Sequence, residues 1–260
     1  MTEEFTDPLK IIYQDDGLVA VHKPAGLLVH RTALAAGQTE QFALQMLRDQ
    51  IGRYVYPIHR LDRPTAGVLL FGLDDETTRR LREAFTDQTI EKRYVALVRG
   101  YTDLNGEIDH PLTKWVDHKV KKKKMAQLAE GEELERREAV THYQRLATAE
   151  LSISVGRYPT SRYSLVSAQP KTGRTHQIRR HFNHIAHPII GDHRYGDNRH
   201  NRMFRSELAL SPLFLLAKSV RFKHPHSGKE LVIETVFDPF WIEMVERLGW
   251  GRGVLENGQW

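Results

Sequence analysis

The chain of 260 residues contains no cysteine. That absence excludes disulfides, thiolate metal sites and cysteine nucleophiles together, and leaves oxygen and imidazole chemistry for any active site. No run of about 18 apolar residues occurs, so no membrane span is indicated. The N-terminal stretch MTEEFTDPLK is acidic and polar, where a secretory leader would be basic and then apolar. Export is not indicated, and a cytoplasmic location is expected. No internal repeat is visible.

What is present is ordinary for a globular protein, with 40% hydrophobic and 27% charged residues. At 260 residues the chain is long enough for one good core, as a single catalytic domain or as two tightly joined lobes. Lys and Arg number 38 against 33 Asp and Glu, a net charge of +5 that tilts the expected partner toward a polyanion.

The opening segments KIIYQ and LVAVHK read as a hairpin around Asp16-Gly17, a dipeptide suited to the positive φ of a tight turn. KPAG at 23–26 stops the second strand. TEQFALQMLRDQIG predicts an amphipathic helix with Thr39 as cap, Phe42, Met46 and Leu47 on one face, and Gly52 at its end. AGVLLFGL after Asp62 predicts a buried strand, DDETTRRLREAF a helix with acids in its first turn, and KRYVALVRG a strand that starts near Tyr94. From 114 to 138 the sequence turns highly charged, with KKKK at 121–124, and reads as an insertion. Strands follow near 139–147, 150–155 and 163–169, then a helix from Thr175 to Ile185, a hairpin around HPHSG and a last helix near 240–248. Strands and helices mix without a regular βαβ rhythm, which predicts an α+β fold.

Two clusters carry chemistry. HRLDRPTAG at 59–67 places one acid, Asp62, between Arg60 and Arg63, ahead of the apolar run. A surface acid that offsets two cations would account for the lettering. So would a kinase catalytic loop, but there is no glycine-rich loop upstream, no D-F-G downstream and no Asn at the metal-holding position. The second cluster, KTGRTHQIRRHFNHIAHPIIGD at 171–192, gathers Arg174, His176, Arg179, Arg180, His181 and His184. A solvated basic helix, a metal site and a phosphate-facing surface all fit such a list. His181, His184 and His187 drift about 60° per step round a helix, and the arginines would repel a divalent cation. Guanidinium forks and the helix N-terminus fit phosphate better, while Arg179 could instead turn inward to pair with Asp62.

HKPAGLLVH at 22–30, HRLDRPTAG at 59–67, KRYVALVRG at 92–100 and KTGRTHQIRRH…HPIIGD at 171–192 together resemble, in order and spacing, the motifs of the RluA family of pseudouridine synthases. The resemblance spans roughly residues 11 to 237. LVHR, GRYPTSRYSLV and IIGDHRYGDNRHNR look most like its TruC branch, which acts on uridine 65 of tRNA. One departure is Ala66, where the family usually has Ser. The charged insertion belongs to no shared motif.

The resemblance implies a pseudouridine synthase fold, a mixed and mostly antiparallel central sheet flanked by helices with an RNA-binding cleft across it. It implies one catalytic domain over 1–260, without a separate N-terminal RNA-binding domain. It also implies an isomerase that needs no metal or redox cofactor. Asp62 matches the catalytic acid, as nucleophile or base; attack on C1′, addition to C6 and proton abstraction at C2′ all remain open. Arg179 matches the arginine that pairs with this acid, and Tyr94 the tyrosine that stacks on the uracil and assists proton removal at C5. Arg60 matches the side chain that enters the stack when the base is extruded. Arg63, Arg174, His176 and Arg180 are expected at the RNA or beside it. The expected partner is tRNA, with the protein working as a monomer. A ribosomal or dual-specificity enzyme is the nearest alternative. A non-catalytic RNA-binding protein and a phosphodiesterase built on the histidines and Asp192 come from other classes, and no RNP1-type string supports the former.

Overall fold

The computed structural model describes residues 5, 7–30, 41–114 and 135–256. Thr39, expected as a helix cap, the Lys121–Lys124 run and most of the expected insertion lie outside the described residues.

Strands β1 (Lys10–Gln14) and β2 (Leu18–Lys23) form the first hairpin. Its turn differs from the expected one. Asp15 Oδ1 accepts the N–H groups of Gly17 and Leu18 at 2.9 and 2.8 Å, so the side chain one residue earlier shapes the turn. Gly17 is needed for space, because a Cβ there would lie 2.7 Å from Thr77 Oγ1.

Helix α1 (Ala43–Ile51) starts after an extended Phe42 and ends at Gly52, whose φ of 68° lets its N–H reach the Arg48 carbonyl. The short β3 (Tyr56–Pro57) leads through the Asp62 loop into β4 (Ala66–Gly72), every residue of which is buried. Helix α2 (Asp75–Thr86) is capped by Asp74, which accepts the Thr77 N–H at 2.7 Å. Then come β5 (Glu91–Arg99), β6 (Asn105–Asp109), and the two-residue β7 (Leu112–Thr113) and β8 (Arg136–Arg137).

The strands expected at 139–147 and 150–155 are one strand, β9 (Val140–Leu151), paired along its whole length with β10 (Ser161–Pro170). A register shift opposite Leu165/Val166 absorbs one extra residue, so the ladder continues through the weak strand formers near Ala147. Helices α3 (Gln177–His184) and α4 (Asn198–Glu207), strands β11 (Leu215–Lys223) and β12 (Glu230–Glu234), and α5 (Pro239–Arg247) follow.

Among the described residues, ten strands form one sheet with the path β1-β2-β4-β11-β5-β10-β9-β6, β12 beside β11 and β3 beside β4. All its pairings are antiparallel except β4 with β11. At that junction Gly67 has φ of 121°, and a Cβ would meet the Ala217 carbonyl oxygen at 2.2 Å. Only glycine lets the two strands close there.

Alternate residues point to opposite faces, and both faces are covered. Val19, Val21, Leu69 and Phe71 pack with Leu47 of α1, while Leu18, Ala20, Val68 and Leu70 pack with Leu81 of α2. Farther along, Val95, Leu97 and Leu165 meet Phe204 of α4 and Trp241 of α5 on one side. Ala96, Val98 and Val166 meet Ile178 and Phe182 of α3 on the other. This is the expected α+β arrangement of a mixed, mostly antiparallel sheet between helices. The Asp62 loop enters β4, and α3 lies over β5 and β10, so the fold brings the two chemical clusters together.

Candidate active site

The Asp62 loop is seated on a buried lysine. Lys23 Nζ donates to the carbonyls of Pro24 and Leu27, each at 2.8 Å, and of Arg63 at 3.1 Å. The Gly26 N–H donates to the same Arg63 carbonyl at 2.8 Å. Burial lowers the Lys23 pKa to about 7, against the opposing pull of the Asp62 carboxylate. The HKPAG stretch is therefore the seat on which the loop that carries the acid rests.

Arg179, on α3, faces two carboxylates. Its Nη1 lies 3.1 Å from Asp62 Oδ2, while Nε and Nη2 donate to Asp192 Oδ2 and Oδ1 at 2.7 and 2.9 Å. Side-chain exposure grades the three groups: 18% for Asp62, 7% for Arg179 and none for Asp192. Burial disfavours ionised Asp192, yet the Arg179 bonds and charge and the N–H groups of Tyr195 and Arg194 hold its pKa below the usual carboxylate value. Burial likewise opposes the Arg179 charge, and Asp192 and then Asp62 outweigh it, raising the pKa. Arg179 also sits 5.2 Å above the Tyr195 ring.

His176 begins α3 in a left-handed conformation with φ of 57°. Its Nδ1 is 2.9 Å from the Tyr195 hydroxyl and its Nε2 3.7 Å from Asp62 Oδ1. Burial lowers its pKa to about 4 despite Asp62, so the ring beside the acid is neutral at pH 7. Tyr94, on β5, lines the same cleft. Burial, and then the Asp62 charge, pushes its phenol pKa up, so it stays protonated.

The cleft has a volume of about 590 Å³, within the range of small-molecule sites and ample for one extruded nucleoside. Asp62, Tyr94, Arg179, Arg60, Arg174 and His176 line it. Arg60 is exposed. Arg174 donates from Nε to the Glu138 carbonyl at 2.9 Å. Arg63 and Arg180 are not among the lining residues. Arg63 Nε bonds the Gly26 carbonyl at 2.9 Å, and Arg180 bonds Thr113 O and Oγ1 at 3.0 and 3.1 Å.

The sequence profile of the family described as RNA pseudouridylate synthase matches residues 17–184. The tRNA pseudouridine synthase C of Vibrio vulnificus is 46% identical over 95% of this chain and 98% of its own. The chain belongs to the RNA pseudouridylate synthase family. A relative of the same name from Haemophilus influenzae is 46% identical over 93% of this chain and 98% of its own. The fold is shared with the human RNA Pseudouridylate Synthase Domain Containing 4, with a TM-score of 0.68 and 24% identity over 92% of this chain and 93% of that one.

Several residues of this synthase's cleft carried no signal in the sequence. Gln177 organises the turn before α3: its Oε1 accepts from the Arg174 N–H and Thr172 Oγ1, and its Nε2 donates to Val140 O and Thr141 Oγ1. His59 accepts the Leu70 N–H at its Nε2 and stacks on Phe85 at 4.6 Å. Burial, and then Lys92, lowers its pKa to about 3, so it is a neutral wall of the cleft. Burial lowers the Lys92 pKa to about 8. The histidines weighed as metal ligands are used singly: His181 faces the His110 carbonyl, His184 stacks on His110, and His187 faces the Arg99 carbonyl.

Proposed function

We propose that this synthase converts a uridine of tRNA, at position 65 in the T-stem, to pseudouridine, in the cytoplasm and as a monomer. The observation that carries the reading is the 3.1 Å contact of Arg179 with Asp62 in a nucleoside-sized cleft. The 46% identity to tRNA pseudouridine synthase C directs it to tRNA. Asp62, Arg179 and Tyr94 come from one chain, so one subunit suffices.

In the isomerisation the N1–C1′ bond breaks, the uracil turns within the cleft, and a C5–C1′ bond forms. C5 then loses a proton and N1 gains one, so atoms and electrons balance without a redox partner. Arg179 binds Oδ2 of Asp62 and leaves Oδ1 for the sugar, as nucleophile at C1′ or as base. Tyr94, held as a neutral phenol, suits stacking on the uracil and hydrogen bonding to it. A phenol of raised pKa is a poor acceptor for the C5 proton at neutral pH, which favours Asp62 for that step. Extrusion of a base from a stem costs a few kcal/mol of stacking and pairing, and on this reading the exposed Arg60, which lines the cleft, enters the gap. RNA duplexes are read through shape, phosphates and 2′-hydroxyls, which suits recognition of a stem by the surface around the cleft.

The test is pseudouridine mapping on an unmodified tRNA transcript treated with purified protein, without added metal or cofactor. We expect conversion of the T-stem uridine, and loss of that mark alone in a deletion strain. Loss of a ribosomal pseudouridine with tRNA intact would overturn the substrate.

A further inference from the structure

Asp192 has no part in the reaction just described, yet it takes more of Arg179 than Asp62 does. Two guanidinium nitrogens face it at 2.7 and 2.9 Å, and one faces Asp62 at 3.1 Å. Arg–carboxylate pairs in isolation favour the bidentate fork. Asp192 forms that fork here. It is wholly buried, and its Oδ1 is further fixed by the N–H groups of Arg194 and Tyr195 at 2.9 and 3.0 Å. Its own segment is fixed too: the Asn201 side chain donates to the Asp192 carbonyl at 3.0 Å and accepts the Gly191 N–H at 2.8 Å.

We propose that Asp192 is a positioning residue that holds Arg179 in a one-handed grip on Asp62, keeping one carboxylate oxygen of the acid available for the sugar. Without Asp192 the guanidinium is free to turn its fork on Asp62 and engage both oxygens. The acid would then be a more stabilised anion, weaker as base and as nucleophile. One arginine shared between two acids also leaves the group with a net negative charge, which suits a cationic sugar in the transition state.

The inference rests on the reading of the chain as a uridine isomerase with Asp62 as its acid. Other groups face the same carboxylate: Lys23 from β2, Tyr94 from β5 and His176 from the start of α3, with Arg194 and Tyr195 close behind. Asn at 192 keeps an oxygen for the Arg194 and Tyr195 N–H groups, and Lys23, Tyr94 and His176 do not bond residue 192.

The experiment is single-turnover pseudouridine formation on a T-stem RNA, beside RNA binding, for the wild type and for Asp192→Asn. The variant should lose about 10-fold or more of its plateau rate, with RNA affinity within about threefold. No fall in rate, or a fall matched by an equal loss of RNA affinity, would overturn the proposal. Asp192→Asn strands a buried guanidinium, so the double variant Arg179→Gln with Asp192→Asn, which removes both charges, provides a second reading. If Asp192 acts through Arg179, the double variant should match Arg179→Gln alone within about twofold. A further tenfold loss would refute it. Wild-type protein that forms no pseudouridine would instead refute the isomerase reading, and the two failures are thus distinct.

Discussion

Lys23 Nζ donates to the carbonyl of Arg63 at 3.1 Å, so an ammonium with no solvent exposure holds the residue that follows Asp62. Its pKa is lowered by burial to about 7, below its value in an unfolded chain. The unfolded state therefore binds more protons above pH 7, and stability rises with pH through the interval above the folded value. We expect wild-type stability in urea to increase between pH 7 and 9, with Lys92 adding to the rise near pH 8. Lys23→Met, which retains the volume, should show a shallower rise. Parallel slopes for the two proteins would contradict a buried, destabilised ammonium.

Asp62→Asn keeps the shape of the side chain and removes the anion. The rate of pseudouridine formation should fall by roughly 10²–10⁴-fold, the range for loss of an acid–base group. Melting temperature and RNA affinity should change little, because the group is partly exposed and Arg179 bonds it through one nitrogen. Single-turnover assays beside thermal melts and filter binding check both halves.

Arg179→Ala should act on rate and on stability together. It leaves Asp192 buried without its partner, a change that costs about 3–5 kcal/mol in comparable sites. Denaturant titration reads that loss. The dependence of RNA binding on salt should keep its slope, since Arg179 is enclosed by carboxylates and does not neutralise a phosphate. A slope reduced by about one would place Arg179 on the RNA.

Arg60→Ala should slow the reaction on a paired stem more than on the same site opened by mismatches. The proposed task of the side chain is to occupy the gap left by the base, and an opened site has less stacking to replace. Equal losses on both substrates would remove Arg60 from that task and leave it as a cleft contact.

The elements legible from sequence were those with strong local signals. The β4 strand announced itself by an unbroken apolar run, α2 by Asp74 and the acids behind it, and the end of α1 by Gly52. Helix α4 was missed because NRHNRMFRSE carries only Met203 and Phe204 as apolar residues, too few for a helical period. It is set by the Asp197 cap and by Phe204 against Tyr163. At the site, the inward turn of Arg179 was one of several readings of a basic helix, and only the sheet order brings it to Asp62. Asp192 was weighed for a metal, and nothing local distinguishes a ligand from a counter-ion. The roles of Lys23 and Gln177 depend on carbonyls and loops that no periodicity reports.

Asp62 and Arg179 lie 117 residues apart in the chain. At about 5–20 residues per second, the ribosome releases the arginine roughly 6–23 s after the acid. Strand β11 (Leu215–Lys223), which lies between β4 and β5 in the sheet but follows both in sequence, comes later still. A nascent chain therefore carries the acid without the partner that orients it, and a truncated product lacks the strand that would join its halves. Closure of the sheet thus waits for the later part of the chain, and contacts of such long range make it a slow event in folding.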